Sequence, residues 1–228
     1  MLIYDVGMHN GDDTDYYLSK GARVVAIEAD AELCAAAAAR FSGPTGEGRL
    51  TILNLAVSGR DGEADFFIRD HETVLSSLQP GGKGPQPRVV RVTLRRLSGI
   101  FAEHGTPDFA KIDIEGSDHL VLRDLREARA LPAHLSVEAH TFDVVLECLR
   151  AGHSRFRLVN GKTVSRRFGS ARIKTTAGSA AFAFRHHSSG PFGDDLPDPW
   201  LNAEQFVIHW LHRGTLLGPG WYDAHLLQ

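Results

Sequence analysis

The chain has 228 residues, 43% of them hydrophobic and 23% charged, with a formal net charge of −3. That length and balance predict a soluble globular chain of one large domain with a sizeable core. The small negative charge argues against general attraction to nucleic acid or anionic lipid, and no apolar run approaches the roughly 18 residues of a membrane span.

Residues 2–6, "LIYDV", read as a buried strand, and residues 12–20 as a helix opened by acids and closed before Gly21. "ARVVAIEA" reads as a second buried strand. "DAELCAAAAARF" reads as a helix capped by Asp30 and ended by Gly43 and Pro44. "LTILNLAVS" is a third strand. "GEADFFIRD" and "RVVRVTL" are strands around the loop "QPGGKGPQPR" (79–88), which is rich in glycine and proline. "LSGIFAEHG" is a short helix, "PDFAKIDIEG" a strand ending in acids, and "SDHLVLRDLREAR" a helix with Ser117 or Asp118 near its cap. "LSVEAH" is a strand and "FDVVLECLRAG" a helix. "RFRLVN" and "AAFAFRHH" read as the last two strands, an antiparallel hairpin at one edge. A turn-rich tail with one amphipathic helix closes the chain. Alternating strands and helices predict an α/β chain with right-handed crossovers and a mainly parallel sheet. The division expected over 1–228 is a core at 1–150, the hairpin at 151–190, and the tail and helix at 191–228. Two distant thiols, Cys34 and Cys148, have no metal spacing and form no disulfide framework. With no basic, cleavable leader in "MLIYDVG", they predict a reducing, cytoplasmic setting.

The turn in "YDVGMHNGDDTDYYLSKGARVVAIEAD" is the first candidate site. In an open parallel sheet, ligands bind outside the carboxyl ends of strands where strand order reverses. Gly7 and Gly11 let a ligand approach the backbone. Glu28, 21 residues after Gly7, can accept the hydroxyls of a ribose. The pattern is Gly-x-x-x-Gly rather than G-x-G-x-x-G. Asp12, Asp13 and Asp15 at the helix start suit a helix dipole but would repel a pyrophosphate. A ligand with a ribose and a positive charge, such as S-adenosylmethionine, fits better. A plain tight turn with a surface acid cluster is the bland alternative.

Together, that opening stretch, "NLAVSG", "FAKIDIEGSDHLVLRDL" and "LSVEAH" resemble the FkbM family of S-adenosylmethionine-dependent methyltransferases. The likeness covers most of residues 3–150. It implies a Rossmann-like class I methyltransferase fold: a seven-stranded, mostly parallel sheet with an antiparallel last strand and helices on both faces. Carried over by position, it implies that Asp5 helps hold the methionine amino group and that Gly7 and Gly11 form the cofactor turn. Glu28 binds the ribose, with Ala29 and Asp30 beside the adenosine, and Asn54 and Ala56 flank the adenine. Asp113 serves both the cofactor and the acceptor. Ser76 and Ser77 match a serine pair of relatives, and Arg95-Arg96 stand where many relatives have an acid.

Methyl transfer to a hydroxyl needs positioning and a place for the proton. Alternation along a strand predicts that Asp113 shares a side with Glu115, and Glu138 with His140. His140 is the expected base, because histidine titrates near neutrality. Asp113 positions the acceptor or the sulfonium, and Glu115 and Glu138 line the acceptor pocket. Capping of the following helices is the bland reading of these residues. No metal ligand set is assigned, although Mg²⁺ is possible at the acids and histidine. His9 reads as a loop side chain, Tyr17 as packing. The 79–88 run could be a lid, and the tail from His186 to Trp200, with His187, Ser188 and Ser189, could close the other side. The expected activity is O-methylation of a hydroxyl on a small molecule or sugar, of secondary-metabolite or glycan type. Neither nucleic acid nor membrane is an expected partner. An NAD(P)-dependent oxidoreductase and a non-catalytic cofactor-binding homologue are the alternatives.

Overall fold

The computed structural model describes residues 1–81, 85–215 and 221–228. The chain begins with β1 (Leu2–Val6), α1 (Asp12–Ser19), β2 (Arg23–Glu28), α2 (Ala31–Arg40), α3 (Ser42–Gly46) and β3 (Leu50–Asn54). Next come β4 (Ala56–Val57), β5 (Gly62–Ile68), β6 (Arg88–Arg95), α4 (Leu97–His104), β7 (Phe109–Ile112) and α5 (Asp118–Glu127). They lead into β8 (His134–Glu138), α6 (Phe142–Arg150), β9 (Arg155–Asn160), α7 (Val164–Phe168), β10 (Ala171–Thr175) and β11 (Gly178–Phe182). The last elements are α8 (Ala203–Thr215) and β12 (Tyr222–Leu227).

Seven strands form the main sheet in the order β3-β2-β1-β7-β8-β12-β9. β12 runs antiparallel to both β8 and β9, and the remaining strands are parallel. This is the class I methyltransferase architecture that the resemblance implied. Its central strands are buried on both faces, which explains their near-continuous apolar runs. Strand alternation sends Tyr4 and Val6 of β1 to one face, where α4, α5, α6 and α8 pack. Ile3 faces the other side with Phe109, Tyr16 and Tyr17. Each fully buried aromatic of this kind contributes about 1.5–3 kcal/mol.

The expected terminal hairpin does not form. "RFRLVN" is β9, at the edge, but its partner is β12 and not "AAFAFRHH". That second segment pairs instead with β10 through a two-residue turn, in a separate two-stranded sheet. The antiparallel strand of the main sheet is "YDAHLL", whose Asp223 and His225 interrupt an apolar pattern yet are buried. The third predicted strand also divides. β3 stays in the main sheet, while β4 joins β6 and β5 in a three-stranded sheet beside the crevice. Gly43 and Pro44 do not simply end the second helix; they lie in the short α3 that follows it.

The chain before α8 straps α1. Phe192 stacks on Phe109 at 4.0 Å. Tyr16 donates to Asp195 at 2.8 Å, and Ser188 donates to Asp13.

Candidate active site

Strand order reverses between β1 and β7, and there the turn after β1 meets the segment after β7. Gly7 has φ 80° and its neighbour Met8 follows it onto β2: both backbone N–H groups donate to the Ile27 carbonyl, at 3.0 and 2.9 Å. A Cβ on Gly7 would lie 1.8 Å from the Asp113 carbonyl oxygen. Backbone conformation and close approach therefore both demand glycine. Gly11, with φ 81°, faces away from the crevice; a Cβ there would meet the Phe41 ring at 2.7 Å. It shapes the start of α1 rather than the cavity wall.

A cavity of about 280 Å³ opens at this point. At one end Glu28, Ala29, Leu55, Ala56, Val57 and Phe66 line it. Glu28 ends β2 and accepts the backbone N–H of His9 at 2.8 Å and of Asp30 at 2.9 Å. Burial raises its pKa, and those two N–H groups oppose the rise. Asn54 does not reach this cavity. Its Nδ2 donates to the carbonyls of Glu28 and Ala29, at 3.0 and 3.1 Å, and with Asp30 it borders a separate small cleft. Both Nδ2 hydrogens of Asn54 are thus engaged by backbone carbonyls. Asp30 caps α2, as expected, through the Glu32 N–H at 2.8 Å.

Beneath the turn lies Lys111, 4% exposed and overlooked by the sequence reading. Its Nζ donates to the Gly7 carbonyl at 2.9 Å. It lies 3.3 Å from Asp113, 3.5 Å from Asp5 and 3.8 Å from Asp13. Burial alone would lower its pKa, but Asp113, Asp5 and Asp13 hold it well above the ordinary value. Asp5 is fully buried and takes a hydrogen bond from Thr14 at 2.6 Å. Burial raises its pKa to about 6, with Lys111 pulling the other way. Asp5 does not line the cavity; Lys111 stands between it and the cavity wall. The three acids of α1 divide as well. Asp12 and Asp15 pair with Arg40, each at 2.9 Å, whereas Asp13 turns inward.

At the far end stand Glu115, Glu138 and His140, with His187 and Trp221 beside them. β7 stops at Ile112, so alternation along a strand does not bring Asp113 and Glu115 together, as the sequence suggested. Glu115 has φ 53°, an uncommon left-handed conformation that turns it into the cavity. His140 Nε2 lies 3.0 Å from Glu138 Oε1. Burial raises the pKa of Glu115 to about 8, aided by Asp113 and Asp118. Burial pushes Glu138 up to about 12, aided by Asp113 and Glu115. His140, 39% exposed, has its pKa lowered by desolvation, which Asp113 opposes.

Residues 5–180 match the methyltransferase FkbM domain. The chain belongs to the FkbM methyltransferase family. No curated protein matches it. Among solved structures it is similar to a methyltransferase FkbM from Methylobacillus flagellatus KT, at 20% identity and TM-score 0.44. That match covers 65% of this chain and 35% of the other, so the chain spans about a third of that relative's length. A precorrin-6y C5,15-methyltransferase from Geobacter metallireducens GS-15 matches at 10% identity and TM-score 0.44, over 100% of this chain and 80% of that one. A SAM-dependent O-methyltransferase from Thermotoga maritima matches at 11% identity and TM-score 0.39, over 99% and 58%.

In this FkbM domain the segment 70–81 roofs the cavity. His9 Nε2 and Thr73 Oγ1 are 2.9 Å apart, so His9 is tied down and is not a solvent-facing loop side chain. Ser76 lines the cavity, but Ser77 is buried away from it and exchanges hydrogen bonds with Gln79. The proposed lid at 79–88 falls partly on 82–84, outside the described residues. His187 reaches the cavity; Ser188 and Ser189 instead bind Asp13, fastening the strap to α1. Arg95 and Arg96 are surface residues paired with Asp61 and Glu103. Trp221 went unnoticed in the sequence. Its backbone carbonyl accepts from Gly161 N–H at 2.9 Å, and a Cβ on Gly161 would strike its ring at 2.2 Å. Nothing local in "GPGWYD" signals that packing.

Proposed function

We propose that the protein transfers a methyl group from S-adenosylmethionine to a hydroxyl of a small molecule or sugar. The observation that carries this reading is the charge layout of one cavity. Glu28 stands at its apolar end, Glu72 lies on the roof segment, and acids with one buried lysine stand beneath and beyond. Each Glu28 oxygen accepts one N–H and has further lone pairs for two ribose hydroxyls. Ala29, Leu55, Ala56 and Phe66 offer an apolar wall for a flat base. Asp12 and Asp13 line the cavity at the start of α1, where a dinucleotide would seat its pyrophosphate. Acids there disfavour two phosphates and favour a cationic ligand.

When bound, S-adenosylmethionine supplies an activated methyl group on a positively charged sulfur. Gly7 lets the ligand lie against the backbone, and Asp113, 19% exposed above Lys111, faces its ammonium and sulfonium end. Glu115, Glu138 and His140 hold the acceptor. The hydroxyl oxygen would form the new bond to the methyl carbon, the carbon–sulfur electron pair would leave with sulfur, and the hydroxyl proton would pass to solvent past His140, the exposed member of the trio. An end built of acids and a histidine suits a hydroxyl acceptor, because such groups handle a proton.

Isothermal calorimetry with S-adenosylhomocysteine and NAD⁺ tests the reading. The expected result is binding of S-adenosylhomocysteine alone, weakened about 10-fold or more in Glu28→Ala by loss of charge-assisted hydrogen bonds. Circular dichroism checks that the variant is folded. Binding of NAD⁺ without S-adenosylhomocysteine overturns the assignment.

A further inference from the structure

We propose that Glu115, Glu138 and His140 form a binding site for one divalent cation of the Mn²⁺ type, at the acceptor end of the cavity. The inference rests on the acceptor-end reading above. It gives His140 the work of a metal ligand in place of the free base expected from sequence.

The geometry comes first. One ligand atom from each of the three side chains lies within 4.8 Å of the other two. An ion with bonds of about 2.1–2.4 Å spans about 4.2–4.8 Å between opposite ligands, and about 3.0 Å between adjacent ones at the shorter length. His140 Nε2 and Glu138 Oε1 are 3.0 Å apart, the adjacent-ligand spacing.

A second observation is independent of that spacing. The Glu138 side chain is 5% exposed and lines the cavity, yet its Oε2 accepts no hydrogen bond. A buried carboxylate oxygen without a partner is costly unless a ligand completes it. Asp223, paired with Glu138 in the β12–β8 register, has an orphaned Oδ2 as well. The ion pairs of Lys111 go to Asp5, Asp13 and Asp113, and none of them reaches Glu115, Glu138 or Asp223. Among the described residues no lysine or arginine pairs with these three acids, and a bound cation would take the place of the protons that burial holds on them.

The chain also spends conformational energy here. Holding Glu115 at φ 53° costs about 1–2 kcal/mol relative to ordinary backbone, and Gly116 follows it at φ 94°. The turn aims Glu115 at the other two ligands instead of continuing the strand. Two carboxylates and an imidazole favour a first-row ion that accepts mixed oxygen and nitrogen ligands. Three protein ligands leave coordination positions open for an acceptor hydroxyl, whose acidity the ion would raise.

Metal-stripped full-length chain is titrated with Mn²⁺ while electron paramagnetic resonance follows the free ion, and calorimetry with S-adenosylhomocysteine runs on the same samples. The expectation is one Mn²⁺ per chain, with affinity reduced about 10-fold or more in Glu115→Gln, Glu138→Gln and His140→Ala. Glu47→Gln, a surface acid paired with Arg49, should leave it unchanged. His140 is half-exposed, so its variant remains informative if Glu138→Gln fails to fold. A free-Mn²⁺ signal undiminished by equimolar chain, or binding indifferent to all three substitutions, overturns the cation site. Intact S-adenosylhomocysteine binding in that case leaves the methyltransferase reading standing; its loss in the unmodified chain sinks that reading separately.

Discussion

At Lys111 the chain sets a cation beside Asp5, its register partner across the β1–β7 pair, with Asp13 and Asp113 completing the ring. Removing one member of a buried ionic group strands the others, which typically costs 3–5 kcal/mol. Lys111→Met should therefore lower unfolding stability by about 3–5 kcal/mol near neutral pH, read from urea denaturation. An unshifted midpoint would show that the acids are satisfied without it. From sequence, Lys111 is one polar residue in "FAKIDI", and alternation tells only which face it takes. The residues that make it matter come from another strand and a helix. Gly7 was more legible, since a glycine after a buried strand is a local signal. Its neighbour in motif, Gly11, shows the limit: the same residue type and nearly the same φ serve Phe41 packing instead of the cavity.

Among elements, the roof at 70–81 is tied to β5 by a backbone bridge between Phe67 and Ser77, and to the cavity's other walls by side-chain bonds. His9 meets Thr73 at 2.9 Å, and Gln79 donates to the Gly116 carbonyl at 3.3 Å. One such hydrogen bond contributes about 0.5–1.5 kcal/mol. Thr73→Ala should then raise the dissociation constant for S-adenosylhomocysteine roughly 2- to 10-fold, with little change in melting temperature. Calorimetry showing wild-type affinity would detach the roof from ligand binding. The helices α1, α2, α5 and α6 were legible because propensity and boundary signals are local, although only α2 and α6 carry a side-chain cap and Ser117 makes none at α5. The strand β12 was not. Its run "YDAHLL" alternates apolar with Asp223 and His225, as a surface strand does, but β8 and β9 take its two edges. Tyr222, Ala224 and Leu226 join the core under α8, and His225 packs by Phe109 and His134 on the other face. The pairing of "AAFAFRHH" was misread for a related reason. A two-residue turn to β10 closes sooner than any long-range partner.

For the molecule as a whole, the raised carboxyls set a pH dependence. Burial lifts Asp118 to about 7 and Glu115 to about 8, from ordinary values of 3.8 and 4.5. The folded chain then binds more protons than the unfolded one across that interval, so this stabilisation is complete at low pH and is lost as pH rises toward 8. Histidines act in the opposite sense. Burial lowers His134 to about 4 and His225 well below 6.5, so their contribution is lost as pH falls from 6.5. An unfolded histidine is half protonated at about pH 6.5 and nearly neutral by about pH 7.5, so from about pH 7.5 to 9 the acids dominate. The ligand-free chain should lose thermal stability across that window, and Glu115→Gln should flatten the slope in a scanning-fluorimetry series. A melting temperature that climbs from about pH 7.5 to 9 would reverse the sign assigned to these carboxyls.

What the sequence by itself determined is local chemistry in order: buried strands, capped helices, a glycine turn after β1, and acids at the ends of β2, β7 and β8. Each follows from side-chain period or from a backbone need within a few residues. Only the tertiary structure decided which of those acids share a cavity. It placed Lys111 beside Asp113, Asp5 and Asp13 and withdrew Asn54 and Gly11 from the wall. It also inserted β12 between β8 and β9, bringing Asp223 beside Glu138. The reason is physical. Charge and coordination depend on distances across strands far apart in sequence, and pairing of those strands sets the distances.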